Sequence, residues 1–473
     1  MPPRWRAGKQ RDFLHPSPER GGSDRHSVAK AVRGGVNVKR ETSRQTPTRR
    51  ASLGDLPLSG GGKEKLSIAP PEPNLTPGDM IGRATAMRAM LRGAQAACEA
   101  NGRVSDEVNE ALIRAGFHRV VQPRCFGGYE FDVPTFYRVM MEVARGCPET
   151  GWVLALTAGH PLIIANFPLG GQREIYGKNG EFRCPAAFNP HGAATPVAGG
   201  YRLTASWPSA SGCDIGTHHL GSATVTGADG KPTAHVIQVL LTREQYRIVD
   251  DWHVMGMQGT GSKRIVAEDV FVPVHRTVAA VGVGRGNEPA QRTGLHANPL
   301  YLGRTASFLI GEAASVAVGA ARGALDLYEE VLRSKRAYHP PYHERFKEPE
   351  FQAHYGRALG YIATAEAALI RAGEDYMEYA RVEAAGGAAF DDEKDLRLLL
   401  VEQQAIRLAW DGMELIYRTV GTSDAARDGA TIGRIFRNMA VINTHPALQP
   451  DRTAINAARA RFGLLPFVVA PRA

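Results

Sequence analysis

The spacing of hydrophobic residues changes period twice along this chain. From Met80 to Glu99 apolar residues recur at helical spacing among Ala, Met, Leu and Arg, all good helix formers. Ser105, followed by Asp106 and Glu107, reads as a hydroxyl N-cap with early acids and opens a second helix. Pro134 to Arg145 is amphipathic, and Gly151 to Asn166 is almost uniformly apolar, which predicts a buried helix. Near Cys184 the period drops to two and stays there to about Val281. Gly199 and Gly200 lead into an alternating strand ending at Trp207, Val236 to Leu241 is another, and Ile265 to Val272 a third, closed by Pro273. After Gly284-Arg285-Gly286 helical spacing returns over 306–337, 349–383, 391–420 and 431–443, with a short helix from Pro450. This order predicts a mainly α protein with a central β-domain and a C-terminal four-helix bundle. The expected division is a tail over 1–73, helices over 74–183, a β-barrel domain over 184–285 and the bundle over 286–473.

Charge sharpens the division. Residues 1–66 hold 15 Lys/Arg and 6 Asp/Glu, a net of +9, and the remaining residues hold 42 of each. The net +9 of the 473-residue chain therefore belongs to the tail. That tail is rich in Arg, Ser, Pro and Gly and has too little apolar surface to fold, so it is expected to be a disordered extension or a start assigned too far upstream. Nucleic-acid binding or organelle targeting by the tail ranks below that, because the neutral remainder offers no basic groove. No apolar run reaches the ~20 residues of a membrane span. The five cysteines are scattered without a CxxC pair. They point to a reducing, cytoplasmic setting and away from a disulfide framework or a metal site.

The most specific stretch runs from Trp252 to Pro273. Its centre, Gly259-Thr260-Gly261-Ser262, is a turn in which backbone can approach a ligand, and it feeds directly into the strand at Ile265. With Pro123-Arg-Cys-Phe-Gly-Gly128, Gly200-Tyr-Arg-Leu203 and Arg434-Ile-Phe-Arg437, this block resembles the acyl-CoA dehydrogenase superfamily over roughly residues 75–465. The resemblance implies that superfamily's fold, but fold does not fix the reaction. The commonest dehydrogenases place their carboxylate base nine residues beyond an Arg that aligns with Arg437, and Pro446 stands there. A further subfamily carries its base on an earlier helix, so the dehydrogenase reading stays open.

Three features resemble the flavin-dependent monooxygenases of this fold, the oxygenase components of two-component aromatic hydroxylases. They are Gly159-His160-Pro161, the strand Trp207-Pro-Ser-Ala-Ser-Gly-Cys-Asp214, and Arg437-Asn438 with His445. Ser209 replaces an aromatic residue of that pattern, and Asn438 an aspartate. The resemblance implies a flavin C4a-hydroperoxide kept dry, with Ser211, or second Ser209, near flavin N5. It implies that His160 and His445 polarise or deprotonate a phenol. Trp207 is expected against the isoalloxazine, Gly259, Thr260, Gly261 and Ser262 on the phosphate side, and His191 on a flavin-contacting loop.

A Rossmann fingerprint and a P-loop are both missing from the sequence. Reduced flavin is therefore expected from a separate reductase. FMN, used as FMNH2, is favoured over FAD because 418–422 lacks the Gln-x-x-Gly-Gly of tight FAD binders. O2 and a small aromatic compound are the expected reactants, and a homotetramer the expected assembly. N- or S-oxygenation, an acyl-CoA dehydrogenase and a DNA-binding flavoprotein fold are the alternatives.

Overall fold

A reciprocal Thr76–Asp79 capping box and Pro77 in the first turn start helix α1 (Pro77–Asn101), and Gly102 in the left-handed conformation ends it. Ser105 caps α2 (Asp106–Arg114) and Asp132 caps α3 (Val133–Gly146), each side chain accepting a backbone N–H of the first turn. The single helix expected over 151–166 is instead two. α4 (Pro148–Gly159) stops because Pro161 has no N–H to continue the ladder, and a short α5 (Pro161–Ile164) follows. His160 sits at the joint, which is where its side chain gains its position. α6 (Leu169–Tyr176) completes this region. These coordinates are a computed structural model that describes residues 67–280 and 295–467. The basic stretch 1–66 and the loop at 284–286 lie outside the described residues.

Seven strands follow: β1 (Ala186–Val197), β2 (Gly200–Ala210), β3 (His218–Thr226), β4 (Pro232–Thr242), β5 (Arg247–Val249), β6 (Lys263–Pro273) and β7 (Thr277–Ala279). They form one sheet in the order β5-β6-β2-β1-β3-β4-β7, antiparallel except for the parallel β1–β3 pair. The expected β-barrel domain takes this form. The edge strands β5 and β7 do not pair among the described residues, yet Val239 and Leu241 of β4 share one core with Ile265 and Ala267 of the non-adjacent β6. The sheet therefore curls round its own core without closing its hydrogen-bond ladder.

The C-terminal helices are α7 (Thr305–Ser334), α8 (Pro349–Ala384), α9 (Asp392–Thr419), α10 (Thr422–Ala425), α11 (Thr431–Ile442) and α12 (Pro450–Arg461). α7 is the one helix among the described residues long and apolar enough to cross a membrane, and 94% of its apolar window is buried inside the protein. It is a core helix. Small residues such as Gly319 and Gly323 let α3 approach it: a Cβ at either position would overlap the backbone of Met141 or Arg145. Met140 and Val143 of α3, Val316 and Ala320 of α7 and Leu369 of α8 thus belong to one hydrophobic core. The first helical segment and the bundle, separate in sequence, are a single packed layer system.

Candidate active site

Four elements converge on the turn after Trp252. Met257 and Gly261 are both left-handed, with φ of 58° and 51°, which closes the 258–260 turn tightly. Its backbone is fastened from every side. Trp252 Nε1–H donates to the Met257 carbonyl at 2.9 Å, and the Met257 N–H donates to Asn438 Oδ1 on α11 at 2.6 Å. Gly259 N–H donates to the buried Glu149 carboxylate on α4 at 2.8 Å. Burial raises the Glu149 pKa to about 7. Arg437 and Arg434 pair with Glu99 of α1, and Arg437 also donates to the Met255 carbonyl. The asparagine at 438 thus has a defined task in this chain, that of a turn acceptor.

The glycines of the turn serve packing. A Cβ at Gly259 would overlap Cys98 of α1, and one at Gly261 would overlap the Asp214 carboxylate. α1 and the Asp214 carboxylate lie where a Cβ at these positions would point, so the turn is pressed against the helix layer. Trp207, expected against the isoalloxazine, packs inward. It is fully buried, donates to the Ser222 carbonyl at 2.8 Å and lies over Gly221 inside the curled sheet. Its indole fills the β core and has no face left for a flavin.

The hydroxyl groups of the motif form one directed chain. Trp152 Nε1–H on α4 donates to Ser211 Oγ at 3.1 Å. Ser211 Oγ lies 2.7 Å from Ser262 Oγ, which lies 2.6 Å from Thr260 Oγ1. Thr260 donates its only proton to the Met257 carbonyl at 2.7 Å. Each hydroxyl has one proton, so Ser262 must donate to Thr260, and Ser211 must donate to Ser262. One lone pair on Ser211 remains open: at this position the protein presents an acceptor. Ser209, next to it, is exposed with a φ of 60°, a conformation that costs a non-glycine residue energy and turns its hydroxyl outward at the β2–β6 bulge.

His445 and His160 have different partners. The His445 ring lies 6.2 Å from the Trp152 ring, with Nδ1 accepting the Ala447 N–H, so its neutral form carries the proton on Nε2. His160 lies eight residues further along α4, about 12 Å at helical rise. There Nδ1 is 2.5 Å from the Cys184 carbonyl. A carbonyl only accepts, so Nδ1 carries the hydrogen and Nε2 is a bare lone pair. Burial lowers the His160 pKa to about 4, which keeps the ring neutral at pH 7. The Phe188 ring on β1 stands edge-on to it.

Reasoning from sequence missed two residues here. Trp152 is one; its place two turns before His160 on the same apolar helix was the available signal. Glu312 of α7 is the other. Its carboxyl is fully buried and 3.9 Å from His160 Nε2. A lone Glu within the apolar start of α7 was the signal for it.

The residues present fit a flavin. β1 is a central strand, yet Asn189, Pro190 and His191 on it are exposed. His191, expected on a loop, lies on this uncovered strand. Ser211 Oγ and the His445 ring both lie against Trp152, at 3.1 and 6.2 Å, and with the exposed Ser209 they supply the acceptor and donor groups that the polar edge of an isoalloxazine requires. Behind the turn, Cys98 Sγ, Cys147 Sγ and a Glu149 carboxylate oxygen lie within 4.8 Å of one another, all three residues buried.

Comparison with known proteins places this geometry. The family profile described as acyl-CoA dehydrogenase, C-terminal domain, matches residues 312–450. The chain is 31% identical over 368 residues to the flavin-dependent monooxygenase oxygenase subunit HsaA of Rhodococcus jostii, covering 76% of this chain and 92% of that protein. It is 28% identical to the oxygenase component of a FADH(2)-dependent resorcinol hydroxylase of a Rhizobium species, covering 82% and 95%. Among solved structures, the 3-HSA hydroxylase of Rhodococcus superposes with a TM-score of 0.74 at 28% identity, over 82% of this chain and 97% of that one.

Proposed function

Because the chain belongs to the oxygenase subunits of the flavin-dependent monooxygenases, built on the acyl-CoA dehydrogenase fold, we propose that it hydroxylates a small phenolic compound with reduced flavin and O2. When bound, reduced flavin with O2 supplies an electrophilic oxygen atom. The protein's part is to bind, orient and move protons. The observation that carries the phenol is the tautomer of His160: Nε2 is bare and neutral, held there by the Cys184 carbonyl, as the acceptor of a phenol proton must be. Loss of that proton makes the ring carbons ortho and para to oxygen nucleophilic.

Ser211 would accept the N5–H that a reduced flavin carries, and Ser209 and His445 Nε2–H would reach its polar edge. Thr260 and Ser262 act through Ser211: by absorbing its proton they keep it an acceptor. A separate reductase fits the oxygenase-subunit character of the relatives. The 418–422 stretch favours FMNH2, whereas the resorcinol hydroxylase is named for FADH(2); both belong in the assay. A homotetramer in the cytoplasm completes the reading. It is supported by the exposed apolar Phe462 and Leu465, 74% and 82% exposed, which a second copy would cover.

The test is direct. Protein mixed anaerobically with FMNH2 or FADH2, then with ¹⁸O2 and a panel of phenols, is expected to yield a hydroxylated product carrying one labelled oxygen. Flavin reduction by an acyl-CoA, with enoyl-CoA as product and no labelled phenol, would overturn the reading.

A further inference from the structure

The carboxyl of Glu312 is the least explained polar group near the site. Among the described residues neither of its oxygens has a hydrogen-bond partner, and neither does His160 Nε2. Burying a carboxyl without a partner is costly, and a helix position in an apolar core would normally go to Leu or Met. The local packing is arranged round it. Gly159, one residue before His160, has no Cβ to displace it, and a Cβ there would overlap Glu312 Oε2. The same added Cβ would also press on Phe308 and Phe136, at 3.1 and 3.3 Å, so aromatic side chains line the pair. Tyr137 of α3 lies on the far side of Gly311, next to the buried Glu402 of α9, to which its hydroxyl donates at 3.3 Å. That bond occupies the Tyr137 hydroxyl proton and Glu402 Oε1, so the Tyr137 hydroxyl has no proton left to offer Glu312.

The 3.9 Å between His160 Nε2 and Glu312 Oε1 is too long for a hydrogen bond and suits one oxygen atom bridging both at about 2.8 Å. The two ends differ in kind. Nε2 can only accept. A protonated Glu312 donates, and burial keeps it protonated because charge is not favoured there. We propose that His160 and Glu312 together are the seat of the substrate's hydroxyl, and that Glu312 makes the enzyme selective for a group that donates and accepts at once. This rests on the phenol-hydroxylase reading above and refines it.

In the step, the phenol O–H bond breaks as a ring carbon attacks the electrophilic oxygen that reduced flavin with O2 would supply: the proton moves to His160 Nε2 and the O–H electron pair enters the ring, so no free phenolate is formed in the buried site. Glu312 O–H keeps its proton and donates to the phenol oxygen. A phenol satisfies both ends. An indole N–H satisfies only His160, a methyl ether only Glu312, and a thioether neither well, so each leaves a buried polar group unpaired. Both groups are closed from solvent, and the partly exposed Phe188 against His160 is the side chain whose movement would admit a ring.

The experiment compares native protein, Glu312→Met and Glu312→Gln, each supplied with reduced flavin and O2 and with a phenol panel, the matching methyl ethers and indole. The expected result is coupled turnover of a phenol, a KM raised at least about tenfold in Glu312→Met, and partial recovery in Glu312→Gln, whose amide still donates. Indole, which takes no bond from Glu312, should be poor for the native protein and no worse for Glu312→Met, whereas the ethers should be poor for the native protein and poorer still for Glu312→Met. An unchanged phenol KM in Glu312→Met overturns the role of Glu312 while the phenol-hydroxylase reading stands. Coupled turnover of indole but of no phenol overturns both.

Thermal unfolding separates a structural role. Glu312 has its pKa raised on folding, so the stability it contributes is full below its ordinary 4.5 and is lost as pH rises toward the folded value. The titratable groups facing it are His160, Tyr137 and Glu402. The Met variant cannot titrate at 312. Its Tm should therefore exceed that of the native protein, by a margin that grows from pH 5 to pH 8. A lower Tm at every pH would mean that Glu312 is a structural residue and would overturn the proposal.

Discussion

Replacing His160 by Gln should slow phenol hydroxylation by about 10²–10⁴-fold while leaving flavin affinity unchanged. His160 closes α4 because Pro161 stops the helix, and the Cys184 carbonyl fixes its tautomer with the lone pair on Nε2. Gln offers either a donor or a weak acceptor there and cannot take up a proton. The pH profile provides a second check. The base must be neutral to work, and with its pKa lowered to about 4 the neutral form dominates from pH 8 down to pH 5. The kcat/KM profile should lack an acid limb near the ordinary histidine value of 6.5. A limb at that value, or wild-type turnover by His160→Gln, would show that the proton goes elsewhere.

Replacing Ser211 by Ala should raise the fraction of O2 released as H2O2 and lower product per flavin, by about tenfold in the ratio of the two. The substitution removes the acceptor offered to flavin, leaves the Trp152 indole N–H without its acceptor and takes from Ser262 Oγ its donor, while Ser262 still donates to Thr260. Buried groups without partners cost about 1–3 kcal/mol each, so some loss of stability accompanies the uncoupling. Ser262→Ala distinguishes the two effects. It frees the Ser211 proton, turning that oxygen from acceptor to donor, without removing it. Uncoupling in Ser262→Ala as well as in Ser211→Ala would establish that proton direction along the chain matters. Tight coupling in both variants would reduce the chain to a structural clamp for the 258–260 turn.

Much of the fold was legible because it is local. The Thr76 and Ser105 caps, Pro273 at the end of β6 and the helical spacing of α7 to α9 lie within a few residues of the structure they cause. The candidate site was legible in part. Ser211, Thr260 and Ser262 were expected on the flavin side, and the structure joins them, but as partners of one another. Trp207, Gly259 and Gly261 fit the same motif and face the protein, because a motif records residue types and not the direction in which the sheet curls. His445 and His160 looked equivalent in sequence. Their tautomers differ because Ala447 offers an N–H to one and Cys184 a C=O to the other.

The sequence by itself determined the order of helices and strands, their limits to within a few residues, and the kinds of side chain that surround the site. Periodicity, caps and proline act through the backbone of their own segment, so these outcomes need no distant contact. Tertiary structure alone decided that the helices before and after the sheet share a core, that Trp152 holds Ser211, and that Glu312, 152 positions away in the chain, faces His160. Those pairings depend on how α3, α4 and α7 cross and how closely their glycines let them approach. That is a property of packed surfaces, and no spacing along one strand of sequence encodes it.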